Sequence, residues 1–112
     1  MAYDEALAQR IRDVLKDTRG VTEKRMFGGI AFLRHGHMFI GISDKELMAR
    51  VGPTNHARAL AKKHVREMDF TGKPMRGYVF VGAEGVKTSE MLRRWVQECM
   101  AFADGLPPKA AK

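Results

Sequence analysis

Ile30-Ala31-Phe32-Leu33-Arg34-His35-Gly36-His37-Met38-Phe39-Ile40-Gly41-Ile42 is the stretch on which the fold turns. Ile30–Leu33 and Met38–Ile42 are apolar runs of strand length, and Arg34-His35-Gly36-His37 between them reads as a hairpin turn. Just upstream, Gly28-Gly29 lets the backbone bend or approach a neighbour closely, which suits a bulge or a tight lead into the first strand. Just downstream, Ser43-Asp44 makes a second turn and Glu46–Val51 a third strand. The hairpin thus grows into a three-stranded meander.

Gly52-Pro53-Thr54-Asn55 then breaks the sheet pattern and offers a helix cap, and His56–Lys63 reads as a short helix burying Ala57, Leu60 and Ala61. Val65–Phe70 is a fourth strand, Thr71–Pro74 a loop, and Gly77-Tyr78-Val79-Phe80-Val81-Gly82 a fifth strand with Tyr78 and Phe80 on one face and Val79 and Val81 on the other. Leu7, Ile11, Val14 and Leu15 follow helical spacing behind Asp4 as N-cap, predicting a helix over 4–17 that Thr18-Arg19-Gly20 ends. Leu92, Trp95, Val96, Cys99 and Phe102 form the apolar stripe of a last helix, which starts near Thr88 or Ser89 and stops at Gly105-Leu106-Pro107-Pro108. The predicted order is α-β-β-β-α-β-β-α. Short hairpins with helices gathered on one side pack as a two-layer α+β domain on an antiparallel five-stranded sheet. One domain is expected over 1–105, followed by a flexible basic tail over 106–112.

The chain has 112 residues, 45% hydrophobic and 29% charged, which is the balance of a folded globular domain. Cys99 is its one cysteine, so no internal disulfide forms and a reducing compartment suits it. The acidic start, Met1-Ala2-Tyr3-Asp4-Glu5-Ala6, has no signal-peptide core, and no uncharged run is long enough for a membrane helix. A cytoplasmic location away from membranes is expected. The net charge of +7 is spread over both halves of the chain, raising the prospect of nucleic acid or an acidic partner without implying sequence specificity.

Motifs for chemistry are sparse. Gly28-Gly29 lacks the lysine-serine or lysine-threonine of a phosphate loop and the spacing of a dinucleotide fingerprint, so it reads as structural. His35, His37, His56 and His64 match no two-histidine helical metal motif, and they read as turn, surface and partly buried residues. No metal and no cofactor are expected. Cys99 lies on an apolar stripe beside Trp95, where it reads as a small buried hydrophobe. Ser43 and Ser89 lack a nucleophile-elbow context, and Asp44, Glu46 and Glu84 form no pair spaced for two-carboxylate chemistry. The chain is expected not to be an enzyme.

Lys62, Lys63, His64 and Arg66 make a compact basic cluster, with Arg93 and Arg94 on the exposed face of the last helix. A fold that gathers Lys62, Lys63, Arg66 and Arg93 would contact phosphates without reading bases; the competing reading is a solubilising surface. Among the methionines, Met38 and Met91 are placed in the core. Met26 and Met75 flank turns beside Arg25 and Arg76, where they suit an adaptable protein-facing edge.

Lys24-Arg25-Met26-Phe27-Gly28-Gly29-Ile30-Ala31-Phe32, followed by Gly36-His37-Met38-Phe39, closely resembles the N-terminal domain of the TfoX/Sxy family of competence regulators. Lys73-Pro74-Met75-Arg76-Gly77-Tyr78-Val79-Phe80-Val81 and the Leu92–Trp95 helix fit the same pattern, and the similarity spans residues 4–104. The resemblance implies a secretion-chaperone-like fold with the strand and helix order read above. Full-length members are associated with positive control of DNA-uptake genes together with the cyclic-AMP receptor protein. This chain is expected to be a stand-alone N-terminal domain without the family's helical C-terminal domain. The family supplies no catalytic residues to carry over.

The function expected from these readings is a regulatory or adaptor domain acting through protein contact in transcriptional regulation of competence-like genes. Arg25, Met26, Phe27, Met75, Arg76 and Tyr78 are its interface candidates, because arginine and aromatic residues commonly anchor interfaces. The alternative is a nonspecific nucleic-acid-binding domain using a basic surface. A homodimer would form by pairing of an exposed sheet edge, provided that charge does not guard it.

Overall fold

The computed structural model describes residues 4–26, 29–70 and 73–106, and within them helix α1 (Glu5–Leu15) leads into strands β1 (Val21–Met26), β2 (Gly29–Arg34), β3 (His37–Ser43) and β4 (Glu46–Arg50). A 3-10 turn (Pro53–Asn55) opens helix α2 (His56–Leu60), β5 (Val65–Phe70) and β6 (Lys73–Val81) form a second hairpin, and a further 3-10 turn (Ala83–Val86) precedes helix α3 (Ser89–Asp104). The strands make one antiparallel sheet in the order β1-β2-β3-β4-β6-β5. The α+β class is as expected, but the sheet has six strands rather than five.

The additional strand is β1. Thr22, Glu23, Lys24 and Arg25 are all exposed, because β1 is an edge strand and, among its described side chains, only Val21 packs against the core. An edge strand wetted on both faces has no apolar alternation to announce it. The β2–β3 hairpin turns through His35 and Gly36, both at positive φ, and its register shifts opposite Phe32/Leu33, so that Phe39 as well as Ile40 joins the main core. β6 begins at Lys73, within the segment expected to be a loop. Pro74 is accommodated there because β4 pairs only with Tyr78–Val81, which leaves the earlier half of β6 bonded on one side.

The helices lie on one face of the sheet. Asp4 caps α1 by accepting from the amides of Ala6 and Leu7 at 3.0 and 3.1 Å, and Leu7, Ala8, Ile11 and Leu15 are buried beneath it. Thr88 caps α3, its hydroxyl accepting from the Met91 amide at 3.1 Å, and Leu92, Trp95, Val96, Cys99 and Ala103 are buried. These side chains close over Ile30, Phe32, Ile40, Ile42, Leu47, Ala49, Val79 and Val81 as one core. Phe80 and Tyr78 fall on the opposite face, as the alternation predicts, with Met48 and Met68 fully buried and Met38 packed alongside. α2 is shorter than its expected span, and its buried residue is Ala59. Met91 is only half-buried, because it lies at the mouth of a cleft rather than in the core.

Candidate functional site

Two glycines build the site that best matches the interface candidates. The chain leaves β4 through Gly52 at φ 90°, and β6 bends at Gly77, at φ 89°. The Gly77 carbonyl accepts from the amides of Val51 at 2.8 Å and Gly52 at 3.1 Å, so the two bends are tied together. A Cβ on Gly52 would lie 2.5 Å from the Phe102 ring, and one on Gly77 would lie 3.1 Å from the Gly52 carbonyl carbon. Side-chain-free backbone at both places leaves a cleft of about 390 Å³ lined by Arg50, Pro53, Arg76, Tyr78, Phe102 and Leu106 together with the two glycines.

Arg50 is held rigidly in this cleft. Its guanidinium carbon lies 5.4 Å from the Tyr78 ring centre and 5.3 Å from that of Phe102, and its Nη1 donates to the Met38 carbonyl at 3.2 Å. Arg76 stands exposed at the rim. The lining thus carries two guanidinium groups, two aromatic rings and no carboxylate among the described residues. Such a cleft suits an acidic group presented with an apolar neighbour.

The other interface candidates lie elsewhere or outside the description. Arg25 is exposed on β1, with three strands between it and β6. Phe27 and Gly28 fall outside the described residues, and the side chains of Met26 and Met75 do as well. Gly29 has a plain structural role: a Cβ there would sit 1.9 Å from the Ile42 carbonyl oxygen on β3. Arg50 was not singled out from sequence, although Gly52-Pro53 beside it marks an abrupt change of direction; Phe102, expected on the buried stripe of the last helix, is only half-buried because its ring turns to this cleft, and Ala103 is buried instead.

The four nucleic-acid candidates divide among three places. Lys62 and Lys63 line a cleft between the loop after α2 and α3. Arg66 crosses the ring of Phe80 at 4.5 Å on the other face of the sheet and makes a bidentate pair with Glu46, its Nε at 3.0 Å. Arg93 faces a shallow groove between α1 and α3, next to Arg10 and Asp13. Both sheet edges carry exposed charge, Glu23, Lys24 and Arg25 on β1 and Arg66 and Glu67 on β5, which opposes edge-to-edge pairing.

His35 and His64 are exposed turn residues at positive φ, His37 is half-buried, and His56 is largely buried with Nε2 3.9 Å from a Glu67 oxygen. Among the described residues, no three His, Cys, Asp or Glu side chains gather as a metal site. Cys99 is wholly enclosed; burial, with a smaller contribution from the Glu98 charge, pushes its thiol far above the ordinary range. Among the described residues no helix is long and apolar enough to cross a membrane.

These features define a class: a one-sided α+β domain whose helices cover one face of a six-stranded antiparallel sheet. The family model of the TfoX N-terminal domain matches residues 13–103, and the chain belongs to that family. Membership suggests a competence-related regulatory domain. None of the curated proteins matches the chain.

Proposed function

We propose that this domain is a non-enzymatic adaptor in the transcriptional regulation of competence-like genes, and that it works by gripping an acidic segment of a protein partner in the Arg50–Arg76–Tyr78–Phe102 cleft. The observation that carries this reading is the pairing of two arginines with two aromatic rings in a cleft whose described lining has no carboxylate to neutralise them. Arg50 is already immobilised between Tyr78 and Phe102, so little side-chain freedom is lost when it meets a carboxylate. Arg76 at the rim steers and orients the partner. The scattering of Lys62, Arg66 and Arg93 over separate surfaces is the reason to prefer a protein partner to a nucleic-acid backbone.

The test is affinity capture from native extract with the purified domain as bait, after nuclease treatment and at two salt concentrations, comparing wild type with Arg76→Glu. A defined protein retained at both salts and lost with the variant is expected. Retention of nuclease-sensitive, salt-labile material alone, or capture indifferent to Arg76→Glu, overturns the reading. Arg76 is exposed, so the variant leaves the core intact.

A further inference from the structure

We infer that a second cleft, on the α3 side of the molecule and separate from the one above, binds a small aromatic organophosphate of the nucleoside-monophosphate class. It is formed where the loop after α2 (Lys62, Lys63, His64), the turn before α3 (Glu84, Gly85) and the first turns of α3 (Met91, Arg94, Trp95, Glu98) meet, and it encloses about 470 Å³. That is within the range of small-ligand sites.

The shape of the cleft is built in. His64 adopts a left-handed backbone at φ 67°, unusual for a side-chain-bearing residue, and its carbonyl accepts from the Gly82 amide at 2.8 Å. This ties the lysine loop to the turn that carries Gly85, where a Cβ would lie 2.6 Å from Val81 Cγ1. The left-handed turn at His64 and the crowded Gly85 thus set the lysine loop beside the turn before α3, and Lys62, Lys63, Lys87 and Arg94 line one cleft.

The charges call for an anion. Glu84 is matched by Lys87 at 3.5 Å, Glu98 by Arg58 at 3.7 Å and Lys62 at 3.9 Å, and Arg94 by Glu90 at 3.1 Å. Lys63 has no ion-pair partner among the described residues, and the cleft as a whole is left with an excess of positive charge. Lysines serve as point charges for phosphate. The floor calls for a flat apolar group. It is made by Met91 and the indole of Trp95, over which the Lys62 ammonium rests at 4.8 Å. Lys62 is half exposed and held by long contacts, so a flat ring can displace it from the indole while its ammonium turns to the phosphate. A long nucleic acid is disfavoured because the cations converge on one concavity instead of tracking across the surface.

The chain has one tryptophan, and Trp95 is the floor of this cleft, so its fluorescence reports occupancy without a label. The experiment titrates the full chain with the 5′-monophosphates of adenosine, guanosine, cytidine and uridine at constant ionic strength, correcting for absorbance with free tryptophanamide. Adenosine, inorganic phosphate and a single-stranded DNA ten-mer are titrated in parallel. At least one monophosphate should give a saturating change with a midpoint about tenfold or more below those of adenosine and phosphate. Lys63→Ala and Lys87→Ala should each raise that midpoint about fivefold with an unchanged circular dichroism spectrum, and Arg93→Ala should not move it. No saturating change below about 10 mM overturns the inference, as does a midpoint indifferent to both lysine variants. So does phosphate alone binding as well as the nucleotide, or a ten-mer that binds more tightly than any monophosphate and weakens equally with Arg93→Ala.

Discussion

Replacing Gly52 by alanine tests the construction of the arginine cleft at its tightest point. Gly52 has φ 90° and ψ 156°, a region open in practice only to glycine, and forcing alanine into it costs about 1–3 kcal/mol. The new Cβ would also stand 2.5 Å from Phe102 Cδ1 and Cε1. The ring must move away from Arg50, adding an overpacking cost of about 1–3 kcal/mol. The sum, about 2–6 kcal/mol, is a large part of the roughly 5–15 kcal/mol that stabilises a domain. Urea unfolding followed by circular dichroism on Gly52→Ala, Phe102→Ala and the double variant separates the two contributions. With the ring gone, the glycine substitution should cost only its backbone share. A loss under about 1 kcal/mol in the wild-type background would refute the conformational argument, and equal losses in both backgrounds would refute the steric one.

Two further outcomes follow from the sheet and the core. Gly29→Ala would drive a Cβ to 1.9 Å from the Ile42 carbonyl, a backbone group of the neighbouring strand, and should cost about 3 kcal/mol or more; Gly82→Ala, whose Cβ meets nothing closer than 3.5 Å, should stay within about 1 kcal/mol, and thermal melts that rank the two alike would count against this. Burial raises the Cys99 thiol above its ordinary value of 9.0, so the unfolded chain loses that proton first, and stability should fall as pH rises past 9.0, by about 1.4 kcal/mol per unit. Cys99→Ala should remove that slope. A slope unchanged in the variant, or rapid labelling of the native thiol by a disulfide reagent at pH 8, would contradict the burial.

Local pattern carried most of the architecture. The apolar runs of Ile30–Leu33 and Met38–Ile42, the alternation in Gly77–Gly82 and the helical spacing of Leu7, Ile11, Leu92, Val96 and Cys99 are properties of short windows, and each reappears as a strand or helix packed into the core. What escaped were β1 and the first half of β6, both bonded mainly on one side and lacking the apolar periodicity that a covered strand must have. At the candidate site, Arg76 and Tyr78 were legible as an arginine and an aromatic residue near a bend. Arg50 and Phe102 were not, because they reach the cleft from β4 and from the far end of α3. Likewise Lys62, Lys63, Arg66 and Arg93 look like comparable basic residues in the chain, yet they occupy three surfaces. The sequence by itself determined most of the elements, the buried faces of the periodic ones and the family. Only the tertiary structure decided which charges share a cleft, because that depends on how β6 pairs with β4 and how the glycine bends at Gly52 and Gly77 let α3 approach, and neither is encoded within a single window of residues.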